Sequence, residues 1–160
     1  MIWMAYDSPL GTLLLTCEAE GLTGIYIERP LPEGKPEDHP ILLATAKWLA
    51  GYFAGNPLPV EIPLAPVGTV FQKQVWQILL DIPYGASRTY GDIAEEVARL
   101  RGKEKMSAQA VGQAVGANPV NILIPCHRVL GANGKLTGYG SGLEKKIWLL
   151  EHEKIPYEPE

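Results

Sequence analysis

Cys126, His127 and Arg128 stand consecutively in this chain, directly after Pro125 and the apolar run Ile122-Leu123-Ile124. The thiolate of a cysteine is a strong nucleophile, and a thiol beside an imidazole and a guanidinium is expected to ionise more readily than a free one. Pro125 has a fixed φ and no N–H, so the backbone entering Cys126 is expected to be stiff and turning. Residue types and spacing therefore point to nucleophilic chemistry at Cys126. The competing reading is a small buried cysteine beside a surface His-Arg pair. The other cysteine, Cys17, lies far upstream, and the two show no disulfide-type spacing, so reduced thiols in a cytoplasmic protein are expected. His39, His127 and His152 add no metal-ligand spacing, and no metal is expected.

The elements that must position this stretch divide the chain near residue 67. Ile2–Tyr6, Thr12–Cys17 and Leu22–Ile27 read as three short strands joined by tight turns, a meander. A proline-rich loop over 29–40 leads to a helix over 41–53, with Leu42, Ala46, Leu49 and Phe53 at helical spacing. Residues 57–66 hold four prolines and read as an extended connection. Beyond it, Gly68 or Thr69 opens a helix with Phe71, Val75, Ile78 and Leu79 on one face, and Ile82-Pro83-Tyr84-Gly85 ends it. Arg88-Thr89-Tyr90 reads as extended, and Asp92 opens a helix with Ile93, Val97 and Leu100 inward. A basic loop over 101–105 precedes Ser107, an expected N-cap for a helix through Ala117. Two short helices across a turn form a helix-turn-helix pattern, although this turn is longer than usual.

The second of those helices contains no charged residue and two glycines, Gly112 and Gly116, each costing about 1 kcal/mol against alanine. Two explanations stand side by side: tight packing against a neighbour, or a smooth surface that approaches a backbone or a narrow groove. Charge is unevenly distributed as well. Residues 1–87 hold four Lys/Arg against nine Asp/Glu, residues 88–146 nine against five, and residues 147–160 one against four, for a net of −4. The positive excess coincides with the Cys-His-Arg region, and modest charge implies weak, salt-dependent binding to a polyanion. Hydrophobic content of 46% with a mean hydropathy near zero describes a globular protein. No apolar run reaches the roughly 18–20 residues that span a membrane, and the start Met1-Ile2-Trp3-Met4 has no basic region of a secretory signal.

Asn118-Pro119-Val120, the run Ile122 to Val129, Gly138-Tyr139-Gly140 and Trp148-Leu149-Leu150-Glu151-His152-Glu153 together resemble the active-site stretch of the O6-alkylguanine-DNA alkyltransferases, the methylated-DNA–protein-cysteine methyltransferases. The resemblance runs with unbroken spacing from about Gly68 to Glu153, over half the chain; residues 1–67 match only in layout. It implies an α+β protein. Residues 1–67 would form an antiparallel sheet with a helix, ribonuclease-H-like, and residues 68–160 a helical domain with a winged helix-turn-helix-like motif. It implies repair of double-stranded DNA, with little sequence preference, by flipping the damaged base. The alkyl group on O6 of guanine, or on O4 of thymine, would pass irreversibly to Cys126. No cofactor is implied, and the protein would act as a monomer.

The resemblance also implies roles for individual residues. Glu153, His127 and a water would relay the proton from Cys126, and Tyr90 would donate a proton to the guanine ring. Asn118 would be a hinge between the recognition helix and an active-site strand. Backbone groups at Val129, Tyr139, Gly140 and Ser141 would line the base pocket. Ser107, Gln109, Ala110, Gly112, Gly116 and Arg128 would meet DNA. Two departures stand out. The finger residue that fills the gap left by the flipped base is usually arginine, and here it is Gln109. The serine often found after the tyrosine is here Gly140. The alternatives are a non-catalytic lesion-binding relative, which carries tryptophan in place of the cysteine, a Cys-His hydrolase or redox enzyme, and a transcriptional regulator. The cysteine, the helix-turn-helix and the chargeless helix weigh against these in turn.

Overall fold

Short apolar runs joined by tight turns build the first sheet, seen here in a computed structural model that describes residues 1–159. Strands β1 (Ile2–Ser8), β2 (Gly11–Glu18) and β3 (Gly21–Ile27) pair antiparallel in the order β1-β2-β3. Each runs one or two residues beyond its expected span, because pairing continues to the turn itself. Ser8 Oγ closes the first turn by donating to the Gly11 carbonyl at 2.7 Å and accepting from Leu10 N at 3.1 Å. Gly11 takes φ 97°, a conformation that side chains disfavour. β2 is the central strand, and its run Leu13 to Cys17 is buried throughout, as expected for a strand covered on both faces. Helix α1 (Pro40–Phe53) packs on the sheet through Leu42, Thr45, Trp48, Leu49 and Tyr52. His39 caps it, its ring nitrogen accepting from Ile41 N.

The outer edge of β3 does not stay open. Leu22 N donates to the Pro63 carbonyl and Ala65 N to the Leu22 carbonyl, both at 2.8 Å. Further along, Ile25 N donates to Pro119 and Asn121 N returns to Ile25, at 3.0 and 3.1 Å. A bare edge would be a template for unwanted pairing. The first compact unit therefore comprises Met1–Val67 together with Pro119–Leu123. A single cut at residue 67 misses that second segment, which joins the sheet by backbone pairing that no local pattern announces.

The second compact unit comprises Gly68–Asn118 and Ile124–Glu160, of which all but the last residue is described. Its helices start on strong caps. α2 (Val70–Leu80) begins on a capping box between Thr69 and Gln72. α3 (Tyr90–Leu100) begins earlier than expected, because Thr89 forms a capping box with Asp92 and draws Tyr90 into the helix. Ser107 caps α4 (Ala108–Gly116) by accepting from Ala110 N at 3.2 Å. The three helices pack around Val75, Trp76, Leu79, Ile93, Val97, Val111 and Val115, all buried. Leu100, expected inward, is 60% exposed at the fraying end of α3. Two short parallel strands, β4 (Arg88–Thr89) and β5 (Val129–Leu130), pair across the unit. α5 (Leu143–His152) closes it over Leu130, Leu136, Leu150 and Ile155.

Candidate active site

Two tight turns deliver Cys126. Leu123 N bonds the Asn121 carbonyl at 2.8 Å around Ile122, whose φ is 71°. That is the rarer hand of the γ-turn, and a β-branched residue adopts it only under strain. Cys126 N then bonds the Ile124 carbonyl at 2.8 Å around Pro125, at φ −81° and ψ 65°, the common inverse γ-turn. The proline ring is preset for this second turn. Cys126 to Arg128 follow as one turn of 3-10 helix, so the segment after Asn118 is a series of turns where an active-site strand was expected. Strand pairing resumes only at Val129.

Both neighbours of the cysteine are committed to Glu153. This carboxylate is buried at the C-cap of α5 and accepts four hydrogen bonds. Oε1 takes Gly85 N at 3.0 Å and Arg128 Nε at 2.8 Å; Oε2 takes Arg128 Nη2 at 3.2 Å and His127 Nε2 at 2.5 Å. Four is about the full capacity of a carboxylate. Burial alone would raise its pKa, but the hydrogen bonds from His127 and Arg128 and the Arg128 charge outweigh that and hold it down to about 2. Arg128 places its remaining terminal nitrogen on the Ile82 carbonyl at 2.7 Å. The expectation that Arg128 meets DNA is thus corrected: the guanidinium is buried as the counter-ion of Glu153.

His127 is fully buried, and burial pushes its pKa down, against the upward pull of Glu153. A neutral ring facing a carboxylate keeps its proton on Nε2. The lone pair is then on Nδ1, a buried atom with no hydrogen-bond partner among the described residues. The geometry supplies a base at that nitrogen.

The electrostatics of Cys126 also differ from the sequence expectation. Burial pushes the thiol up, and this is the largest influence. Hydrogen bonds from Asn118 and Tyr139 and the charge of Lys146 act in the opposite direction. Sγ lies 3.8 Å from the Tyr139 hydroxyl. Neither adjacent residue provides the cation, since both are spent on Glu153. Lys146 provides it, fully buried on α5, with Nζ donating to the Val129 carbonyl at 2.7 Å and to Thr137 Oγ1 at 3.3 Å. Sequence reading passed over Lys146 and Thr137. A signal existed for the first: Lys146 sits three and four residues before Leu149 and Leu150, on the apolar face of its helix.

The remaining candidates fall in two groups. Tyr90, at the start of α3, accepts from Thr137 Oγ1 at 3.3 Å, and burial raises its pKa. Asn118 donates to the Ile124 carbonyl at 2.8 Å, tying the end of α4 to the turn before Cys126. Trp76 Nε1 binds the Ala114 carbonyl at 2.8 Å and fixes the same end of the helix. Tyr139, Gly140 and Ser141 follow one another in the loop before α5, and an added Cβ at Gly140 would lie 3.4 Å from the Gly116 carbonyl. Ser107, Gln109 and Gly116 are exposed along α4, and Ala110 and Gly112 half-buried. The glycines of α4 have room: a Cβ at Gly112 would meet only the Tyr90 ring at 3.8 Å, and at Gly116 nothing within 4 Å. Packing within the protein therefore does not require them. Cys17 and Cys126 are both buried and are not joined in a disulfide.

Residues 70–155 match the family model of the 6-O-methylguanine DNA methyltransferase DNA binding domain, and residues 1–66 that of its ribonuclease-like domain. The chain belongs to the 6-O-methylguanine DNA methyltransferases. Members of that family agree with it over nearly their whole length. The methylated-DNA–protein-cysteine methyltransferase of Methanosarcina acetivorans is 43% identical, over 96% of this chain and 98% of the relative. That of Haemophilus influenzae is 44% identical, over 95% and 86%. The crystal structure of Mycobacterium tuberculosis OGT in complex with DNA superposes with a TM-score of 0.82 at 40% identity, covering 96% of this chain and 93% of that one. The α+β class and the DNA-binding second unit follow from this membership. Among the described residues, no helix is long and apolar enough to cross a membrane.

Proposed function

We propose that this methyltransferase repairs double-stranded DNA by moving the alkyl group of O6-alkylguanine, or of O4-alkylthymine, onto Cys126 in a single irreversible turnover. The observation that carries the reading is the saturated Glu153 carboxylate, which fixes the His127 tautomer beside a buried thiol. The thiol proton passes toward Nδ1 of His127 through a water, and Asn118, Tyr139 and the charge of Lys146 stabilise the thiolate. The sulfur attacks the alkyl carbon, the C–O6 electron pair returns to the base, and a thioether forms. Tyr90, kept protonated by burial, donates its hydroxyl hydrogen to the departing base.

The target carbon lies inside a duplex, so the base must be flipped out. α4 is suited to a duplex groove, because its outer face is exposed, uncharged and built of small residues, and Gln109 stands on it to fill the vacated space. A chargeless helix reads little sequence, which fits repair at any site. The protein acts as a monomer in the cytoplasm. Intact mass after incubation with duplex DNA containing O6-methylguanine tests the reading. One methyl should appear per molecule, on Cys126, and Cys126→Ser should bind the DNA without being labelled. Repeated turnover, or a methyl on Cys17, would reject the assignment; binding without transfer would favour a lesion-binding role.

A further inference from the structure

Tyr90 stands at the end of a line of hydrogen bonds. Lys146 Nζ donates to Thr137 Oγ1, and Thr137 Oγ1 donates to the Tyr90 hydroxyl oxygen, each at 3.3 Å. An ammonium has donors and no lone pair, so Thr137 accepts from Lys146, and it donates its own single hydrogen to Tyr90. The Tyr90 oxygen is then occupied as an acceptor, and its own hydrogen has to be offered elsewhere. Lys146 is itself held still, by the Val129 carbonyl at 2.7 Å and with Nζ 5.9 Å from the centre of the Tyr90 ring.

We infer that Thr137 and Lys146 are positioning residues that aim the Tyr90 hydroxyl hydrogen at the departing base and then replace the proton it gives up. This rests on the alkyl-transfer reading above. The balance is complete. Before transfer the site holds a Cys126 thiolate, an imidazolium at His127 that carries the thiol proton, and a Lys146 ammonium. The sulfur takes the alkyl carbon, the base takes the C–O6 electron pair and the Tyr90 proton, Tyr90 takes the Thr137 proton, and Thr137 takes one from Lys146. Afterwards the site holds a thioether, a neutral base, both hydroxyls restored, a neutral amine and the proton still on His127. Burial already brings the Lys146 ammonium down to about 8, and only the Cys126 charge supports it. Alkylation removes that charge, so the proton becomes easier to release at the step that needs it.

A double-mutant cycle on the single-turnover rate, with methylated duplex and with free O6-benzylguanine, tests the inference. Thr137→Val keeps the shape and removes the hydroxyl. It should slow transfer about 3- to 10-fold with both substrates, the usual worth of one hydrogen bond, and leave duplex affinity unchanged. Thr137→Ser should recover the rate to within about twofold. In a Tyr90→Phe background, Thr137→Val should cost nothing further; Thr137→Ala serves as a second deletion should valine fold poorly. Slowing that persists undiminished in the Tyr90→Phe background, or that serine fails to rescue, would overturn the relay. No methyl on Cys126 of the unaltered protein would overturn the underlying reading as well. A methylated Cys126 with a full-rate Thr137→Val would overturn the relay alone.

Discussion

Replacing Glu153 by glutamine exchanges a carboxylate that accepts four hydrogen bonds for an amide with one accepting oxygen. Wherever the NH₂ is placed, it faces donors. Against Oε1's partners it meets Gly85 N–H and Arg128 Nε; against Oε2's it meets Arg128 Nη2 and His127 Nε2. Arg128 is left as a buried cation without a counter-charge, a situation that costs about 3–5 kcal/mol. The pKa leads to a similar size. Holding Glu153 at about 2 against an ordinary 4.5 corresponds to about 3 kcal/mol, at about 1.4 kcal/mol per unit. The sign follows from the depressed folded value: this stability is present above pH 4.5 and lost as the pH falls toward 2. Denaturant unfolding should therefore show a deficit of about 3 kcal/mol or more for Glu153→Gln at pH 7 that shrinks through that window. The amide can also present its NH₂ to His127 and move the imidazole proton to Nδ1, abolishing the base. Single-turnover transfer should then fall by about 10²–10⁴ in folded protein, the worth of a positioned base. Duplex affinity should change little. A stability deficit independent of pH would refute the charge argument. Unimpaired transfer would refute the tautomer argument.

Other outcomes follow from α4. Gly112→Ala and Gly116→Ala should each raise stability by up to about 1 kcal/mol, since both sites have room for a methyl group; thermal unfolding measures this. The same changes should weaken duplex binding in a titration if that face lies against DNA, and unchanged affinity would place the contact elsewhere. Gln109→Ala should slow repair of duplex while sparing free O6-benzylguanine, which needs no flipping; equal losses would make Gln109 a packing element. Gln109→Arg should tighten duplex binding and steepen its salt dependence by up to about one unit.

Local structure that depends on neighbours in sequence was legible from the residues. Pro125 presets the turn into Cys126, Thr69 and Ser107 start their helices where hydroxyls at N-caps should, and short apolar runs between turn residues mark the three strands. The bare periodicity of α3 missed its first residues, because the capping box of Thr89 outweighed the extended reading of Tyr90. The resemblance identified Cys126, His127 and Glu153 as a relay, but it left open the other partners of Glu153 and the cation beside Cys126.

Only the tertiary structure decided those partners. Arg128 reads as a surface cation until α5 returns and places Glu153, 25 residues on, against it. Lys146 becomes the positive charge felt by Cys126 because its helix packs beside β5, whose Val129 carbonyl receives it. Gly85 reaches Glu153 across 68 residues. Caps, turns and periodicity act within a few residues and are written locally. Which buried donor meets which acceptor is set by how whole elements pack, and the cost of leaving a buried charge unpaired selects that packing.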